Sequence, residues 1–248
     1  MLAKELGHKA DYKLFYQRSL GYKNLFDAST GMLRPKHNDG KWFSPYDPQL
    51  GRNFEPAPGY IEGNAWNYRF YVPHDINGLI GLIGGTDKFS EQLELTFTSG
   101  NFDMANEPDI TYPFLFNYIK GQEWRSQEKV AELISEHFHN TPGGIPGNDD
   151  AGTLSAWLVF SMMGIYPLSP GDMNYALVTP YFDKVTITLN QDYYSGEELV
   201  LKTIKEDKQA KFISDISFDN KKINSYFINH QQLVNGGELI FQLESKNK

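Results

Sequence analysis

Apolar positions recur at helical spacing over the first two thirds of the chain and at strand spacing over the last third. Leu14, Phe15, Leu20 and Leu25 interleave with Lys and Arg at three- and four-residue steps, which predicts helix over residues 1–27. The period is lost over residues 24–48, where Asp27, Ser29, Gly31, Pro35, Asn38-Asp39-Gly40, Pro45 and Pro48 are turn formers. Phe26, Trp42, Phe43 and Tyr46 favour an ordered loop there over a disordered one. A helix starts within residues 61–70 and breaks at 71–75. Asp75 then caps a helix through Ile83 that stops at Gly84-Gly85. Further helices are expected over residues 89–97, over residues 113–119, from a Ser126 cap through His137, and from the motif at 144–157 to Met163.

After Gly164 the pattern shortens. Residues 175–178, 185–189, 199–201, 212–218, 223–227 and 239–241 are β-branched or aromatic runs divided by Gly, Asn and Asp, with no obvious helix among them. They predict an antiparallel β region, a small sandwich or half of one. The fold class is therefore α+β, with helices and long polar loops alternating over residues 1–172 and a strand-rich module over residues 173–248. Helical hairpins whose loops converge at one end would close into a toroid with a polar mouth. An irregular bundle fits the same periodicity.

Composition narrows the partners. The 248 residues carry a net charge of −8, which argues against a nucleic-acid backbone as ligand. There is no cysteine, which removes disulfides and thiolate metal sites. No stretch is long and apolar enough to span a bilayer. The first residues, Met1-Leu2-Ala3-Lys4-Glu5-Leu6, lack the apolar core of a signal peptide and resemble the middle of a helix, so the chain is expected to have been cut from something longer.

Three loops hold most of the suggestive polar residues: Glu62 and Asn64; Asn106, Glu107 and Asp109; Asn148, Asp149 and Asp150. Carboxylates on converging loops can divide into a protonated acid and an ionised base. Carboxylates with amide oxygens also form the hard donor set that calcium takes. The plain alternative is that they are helix caps and solvated loop acids, and Asp149-Asp150 sit where the first-turn N–H groups of a helix favour negative charge. His137 and His139 lie at a helix end, and His74 precedes the Asp75 cap; with no His-Glu-x-x-His pattern, zinc is not indicated. His74 can contact substrate or simply be a hydrogen-bonded structural histidine. Neither a phosphate-binding glycine loop nor a Gly-x-Ser-x-Gly elbow occurs.

Taken in order, four motifs carry a resemblance: Glu62-Gly63-Asn64-Ala65-Trp66-Asn67-Tyr68, Val72-Pro73-His74-Asp75, Asn106-Glu107-Pro108, and Gly147-Asn148-Asp149-Asp150-x-Gly152-x-x-Ser155-Ala156-Trp157. They resemble the motifs of glycoside hydrolase family 92, exo-acting calcium-dependent α-mannosidases. Arg18-Ser19, residues 24–27, Gly31-Met32, Asp39-Gly40-x-Trp42, Gly164-Ile165-Tyr166-Pro167 and Pro170-Gly171 are similar to the same family. The resemblance implies part of an (α/α)6 toroid, preceded in family members by a β-sandwich domain.

It also implies release of terminal mannose from glycans with inversion, in a periplasmic or secreted protein. On the family pattern Glu62 resembles the general acid and Asp150 the general base, with Asp149 its rival. Asn106 and Glu107 resemble calcium ligands, while Asn64, Trp66 and His74 resemble substrate contacts. Two departures stand out. Asn148 occupies a place that is often acidic, which reduces the base to a single carboxylate. Met104-Ala105 replace a Gly, often preceded by His, near the leaving-group side.

If the sandwich and the first toroid helices are lacking, the apolar faces bearing Leu14, Phe15, Leu20, Phe89, Leu93 and Phe97 are expected to be uncovered, and the chain alone inactive. A non-catalytic carbohydrate-binding or structural remnant is the alternative. A metal-stabilised helical scaffold without a sugar role ranks third.

Overall fold

The first helical stretch is divided by Gly7, whose φ of 73° no continuing helix allows. It gives α1 (Leu2–Glu5), α2 (Lys9–Ser19) and a 3-10 turn over Leu20–Leu25, in place of the single helix expected. The computed structural model describes residues 2–51 and 55–246, which fall into two compact units, Met1–Tyr112 and Pro113–Lys248. In the first unit α2 buries no side chain, and its Leu14 and Phe15 are each 54% exposed.

Strands β1 (Phe26–Asp27) and β2 (Met32–Leu33) pair antiparallel and open the long polar loop. The Asp27 carboxylate accepts from Ser29 N (2.9 Å), Ser29 Oγ (2.6 Å) and Arg34 Nη1 (2.9 Å). Arg34 Nη2 in turn donates to the Phe43 carbonyl (2.6 Å), and the guanidinium lies 4.4 Å from the Tyr46 ring centre. A buried ion pair and aromatic faces thus order a loop with few backbone ladder bonds.

Helices α3 (Ala65–Tyr68), α4 (Ile76–Ile83) and α5 (Thr86–Thr98) follow. Asp75 caps α4 by accepting from Gly78 N (3.0 Å), and the helix ends at Gly84. The core of this unit centres on Phe70, set edge-on to Phe89 (5.1 Å) and Tyr112 (5.3 Å), with Leu79 and Leu93 fully buried. The expectation of an uncovered α5 face is thus corrected at Phe89 and Leu93: α5 has its partners within its own unit. Burying each such side chain contributes roughly 1.5–3 kcal/mol.

The second unit begins in a 3-10 helix over Asp109–Tyr118 and continues with α6 (Glu123–His137) and α7 (Thr153–Met163). Ser126 is not a cap. The apolar stripe of Val130 and Leu133 extends back one turn to it, so it is buried inside α6, which starts three residues earlier. Phe114 stacks on Tyr166 (4.4 Å) and Phe138 on Trp157 (5.5 Å), forming the aromatic centre around which α6, α7 and the following strand gather.

The strands are β3 (Ile165–Pro167), β4 (Asn174–Leu177), β5 (Lys184–Thr188), β6 (Glu198–Lys205), β7 (Phe212–Phe218), β8 (Lys221–Lys222) and β9 (Phe227–Asn229), then α8 (His230–Val234) and β10 (Gly237–Glu244). One sheet runs β5-β6-β10-β7-β8 and the other β3-β4-β9. Leu199, Leu201, Ile213, Leu239, Phe241 and Leu243 of the first sheet share one core with Ile165, Leu177 and Ile228 of the second. Two expectations are corrected. The last strand runs parallel to β6, with Gly237 opposite Leu199 and Leu243 opposite Lys205, so the region is not wholly antiparallel. The chain between β6 and β10 is long enough for the crossover that a parallel pair needs, and it includes the unexpected α8. The α+β class holds; a closed ring of helices is not shown within either unit.

Candidate active site

In the first unit the chain reaches Glu62 through a left-handed turn (φ 49°), an uncommon conformation for a residue with a side chain. Gly63 follows, where an added Cβ would meet Asn106 Nδ2 and Asn67 Oδ1, each at 3.1 Å. Asn64 then caps α3: its Oδ1 accepts from Trp66 N (2.8 Å) and Asn67 N (3.3 Å), while Asn67 Oδ1 accepts from Asn64 N (2.9 Å). This reciprocal box satisfies first-turn donors that would otherwise be buried without partners.

Across from it, Asn106 Nδ2 donates to the Glu62 carbonyl (2.8 Å). The fully buried Asp109 accepts at Oδ2 from Asn67 Nδ2 (2.9 Å) and Asp103 N (2.7 Å). Burial pushes the Asp109 carboxyl well above the usual range, and its Oδ1 has no partner among the described residues. Glu62, Gly63, Asn64, Asn67, Asp103 and Asn106 are among the residues lining a cavity of about 190 Å³. Arg69 is buried, its guanidinium 5.1 Å from the Trp66 ring, and burial lowers its pKa to about 10.

The second unit presents the other acidic motif. Asp149 (φ 52°) turns its carboxylate back onto α7, accepting from Ser155 Oγ (2.6 Å) and Ser155 N (2.8 Å). The Ser155 hydroxyl and N–H hold that carboxyl below the usual carboxylate range. Asp150 is exposed; its backbone carbonyl accepts from Thr153 Oγ1 (2.7 Å), and its carboxylate bonds to none of the described residues. Of the two adjacent acids, one is a helix cap acting from outside the helix, and the other has no side-chain bond to the described residues.

These motifs, in this order, coincide with a known catalytic domain over residues 1–245. The chain belongs to glycosyl hydrolase family 92. It superposes on a family 92 alpha-mannosidase of Bacteroides thetaiotaomicron with a TM-score of 0.87 at 27% identity, covering 98% of this chain and 32% of that one. A family 92 inverting mannosidase of Bacteroides thetaiotaomicron VPI-5482 gives 0.86 at 26% identity, over 98% of this chain and 35% of that one. An uncharacterized secreted glycosidase of Arthroderma benhamiae is 29% identical over 260 aligned positions, covering 96% of this chain and 33% of its own length. The family 92 chain described here therefore spans about a third of the length of these relatives.

Within this family 92 chain the structure gathers Glu62, Asn64 and Asn106 around one cavity. Glu107 is half-buried and does not line it, though both Glu62 and Glu107 bear electrostatically on Tyr68, whose hydroxyl donates to the Ile61 carbonyl (2.7 Å). Trp66 is half-buried, with its indole N–H unpartnered among the described residues. His74 does not line the cavity: its Nε2 is 2.9 Å from the Ser19 carbonyl and its ring meets Tyr22 edge-on.

Residue types alone did not single out Asp103, which lines the cavity, or Asn67, which holds its wall. The Asn64-x-x-Asn67 spacing of a capping box was the available signal for the second. No cluster of three or more His, Cys, Asp and Glu side chains suited to a metal occurs among the described residues. The cavity does offer the carboxylates of Glu62 and Asp103 and the amide oxygen of Asn106, with neither thiol nor imidazole, while the amide oxygens of Asn64, Asn67 and Asn101 are already accepting hydrogen bonds. This all-oxygen donor set fits calcium in kind and disfavours zinc. Among the described residues no helix is long and apolar enough to cross a membrane.

Proposed function

We propose that this chain carries the acid and the base of an exo-acting, calcium-assisted, inverting α-mannosidase that removes terminal mannose from glycans. Glu62 is the general acid, giving its proton to the glycosidic oxygen as the bond to the anomeric carbon breaks. Asp150 is the general base, taking a proton from the water that attacks the opposite face of that carbon. An inverting pair of carboxyls stands roughly 6.5–9.5 Å apart to admit that water. The observation that carries the reading is Glu62 in a strained, hydrogen-bonded turn at the edge of an oxygen-lined cavity; such strain concentrates at functional sites.

Asp150 is preferred to Asp149 because the Asp149 carboxylate is engaged by Ser155. Asn106 and Asp103 at the cavity would hold the calcium, with Glu62 nearby; Glu107 is carried as a ligand on the family motif, not on the cavity lining. When bound, calcium supplies Lewis-acid polarisation of the sugar hydroxyls and favours ring distortion. Asn64 and Trp66 are carried as sugar contacts on the family motif. His74, exposed and with its Nε2 2.9 Å from the Ser19 carbonyl, is carried on the same motif basis. Like its fungal relative, the full protein is proposed to act outside the cytoplasm.

The domain reading, a toroid portion over residues 1–172 and a strand-rich module over 173–248, belongs to this proposal. A non-catalytic remnant is the second reading, favoured by one observation: α2 covers none of its apolar side chains. The test is hydrolysis of an α-mannoside followed by proton NMR, using the 248-residue chain alone and with the whole upstream portion of a family 92 enzyme, sandwich and first toroid helices together, added. The chain alone is expected to be inactive. The complemented chain should release β-mannose first and lose activity to a chelator, with recovery by calcium and not zinc. The α-anomer appearing first overturns the acid and base roles. Recovery by zinc alone overturns the calcium assignment, and absence of turnover with the complement supports the remnant.

A further inference from the structure

Asn67 lies between the two halves of the cavity wall without being a candidate acid, base or ion ligand. Its side chain is buried and engaged at both ends: Oδ1 accepts from Asn64 N and Nδ2 donates to Asp109 Oδ2. Its backbone is engaged too, with N donating to Asn64 Oδ1 and the carbonyl accepting from the Tyr112 hydroxyl. Asp109, held by Asn67, receives Asp103 N on the same oxygen. Asn106 closes the circuit by donating to the Glu62 carbonyl. The turn at 62–64 and the loop at 103–109 are therefore one hydrogen-bonded ring around the cavity, with Asn67 linking its two sides.

We propose that Asn67 is a positioning residue: it locks the Glu62 turn and the Asp103–Asn106 loop into a single frame, so that the cavity oxygens are in place before an ion or sugar arrives. The ion-binding part of this inference rests on the calcium reading above; the frame itself does not. A buried amide suits the task. Its donor and acceptor ends face a carboxylate and a backbone N–H, and no apolar or purely acceptor side chain satisfies both. Gly63 is part of the same device, because a side chain there would strike both bridging amides.

The test is Asn67→Ala in the 248-residue chain, read by amide hydrogen exchange and by terbium(III) luminescence as a probe of the oxygen site. Exchange protection should fall about tenfold or more at both Asn64 and Asp103. Terbium affinity should fall roughly 10–100-fold, the usual consequence of losing a partner that orients ligands. Leu79→Ala, a core truncation in the same unit, controls for simple destabilisation: it should lower the melting temperature without changing terbium affinity or the relative protection of Asn64 and Asp103.

If Asn67→Ala gives no folded chain by circular dichroism, Tyr112→Phe takes its place. It removes the hydroxyl that donates to the Asn67 carbonyl and accepts from Phe70 N; it should loosen Asn64 and Asp103 to a smaller degree, with any loss at Phe70 read separately. Loss of protection confined to Asn64, with Asp103 unchanged, overturns the frame. So does an equal loss of terbium affinity in Leu79→Ala. Absence of terbium binding in the unsubstituted chain overturns the calcium reading alone, and the exchange pattern still decides the frame.

Discussion

Asp27→Asn tests whether the long polar loop is held by its ion pair. The substitution keeps the size and one acceptor oxygen and removes the charge facing Arg34. The two side chains are only 7% and 15% exposed and sit 2.9 Å apart, so the lost partner leaves a largely desolvated cation. Removing one member of a buried pair costs roughly 3–5 kcal/mol. The lower end applies, because Arg34 retains its bond to the Phe43 carbonyl and its place near the Tyr46 and Trp42 rings. About 3 kcal/mol corresponds to roughly a hundredfold in the folding constant. The assay is urea unfolding of the 248-residue chain at neutral pH, with Asp39→Asn as the exposed-pair control expected to change nothing measurable.

The pH dependence carries its own sign. The Ser29 hydroxyl, and with it Arg34, holds the Asp27 carboxyl below the usual range in the folded chain. The contribution is therefore complete above the unfolded value, near about 4, and is lost as pH falls through the lower folded value. The difference between Asp27→Asn and the unsubstituted chain should shrink accordingly on acidification. A stability change that is small at neutral pH and flat with pH would refute the reasoning.

Other outcomes follow from the same geometry. Ser155→Ala removes the hydroxyl that contributes most to lowering the Asp149 carboxyl, so carboxyl NMR should show Asp149 titrating at higher pH than before. Phe89→Ala, in the covered face of α5, should cost about 3–5 kcal/mol in unfolding experiments, whereas Phe15→Ser on the uncovered α2 face should leave stability nearly unchanged and reduce self-association in sedimentation.

Local devices were legible in the sequence. Asp75 before a helical run, Gly84-Gly85 after it, and the helix end at His137 are boundaries named by short-range rules. The family motifs were legible as well, and they led to the loops that line the cavity. The parallel pairing of β6 and β10 was not, because which strands pair over that distance is decided by the shared core and not by either strand's own pattern. The Asp27–Arg34 pair escaped for a related reason. Each residue looks like an ordinary loop charge, and only the closing of the loop onto Phe43 and Tyr46 removes both from water.

The same difficulty explains why residue type could not rank the candidate acids. Two neighbouring aspartates at 149 and 150 are chemically equal in the sequence. A left-handed residue at 149 aims its carboxylate at Ser155, and the turn that follows leaves the next carboxylate bonded to none of the described residues. Around the cavity the division recurs: Asp109 is buried and binds the loop together, while Glu62 is exposed on a turn which that loop supports. In both motifs one carboxylate builds the local structure and a second is presented by it. A carboxylate with several fixed donors has its proton affinity and direction set by the fold, whereas one that must exchange a proton with substrate or water needs its oxygens uncommitted. That contrast, visible only in the hydrogen bonds, is what separates Asp150 from Asp149 and Glu62 from Asp109 as the groups for which chemistry is proposed.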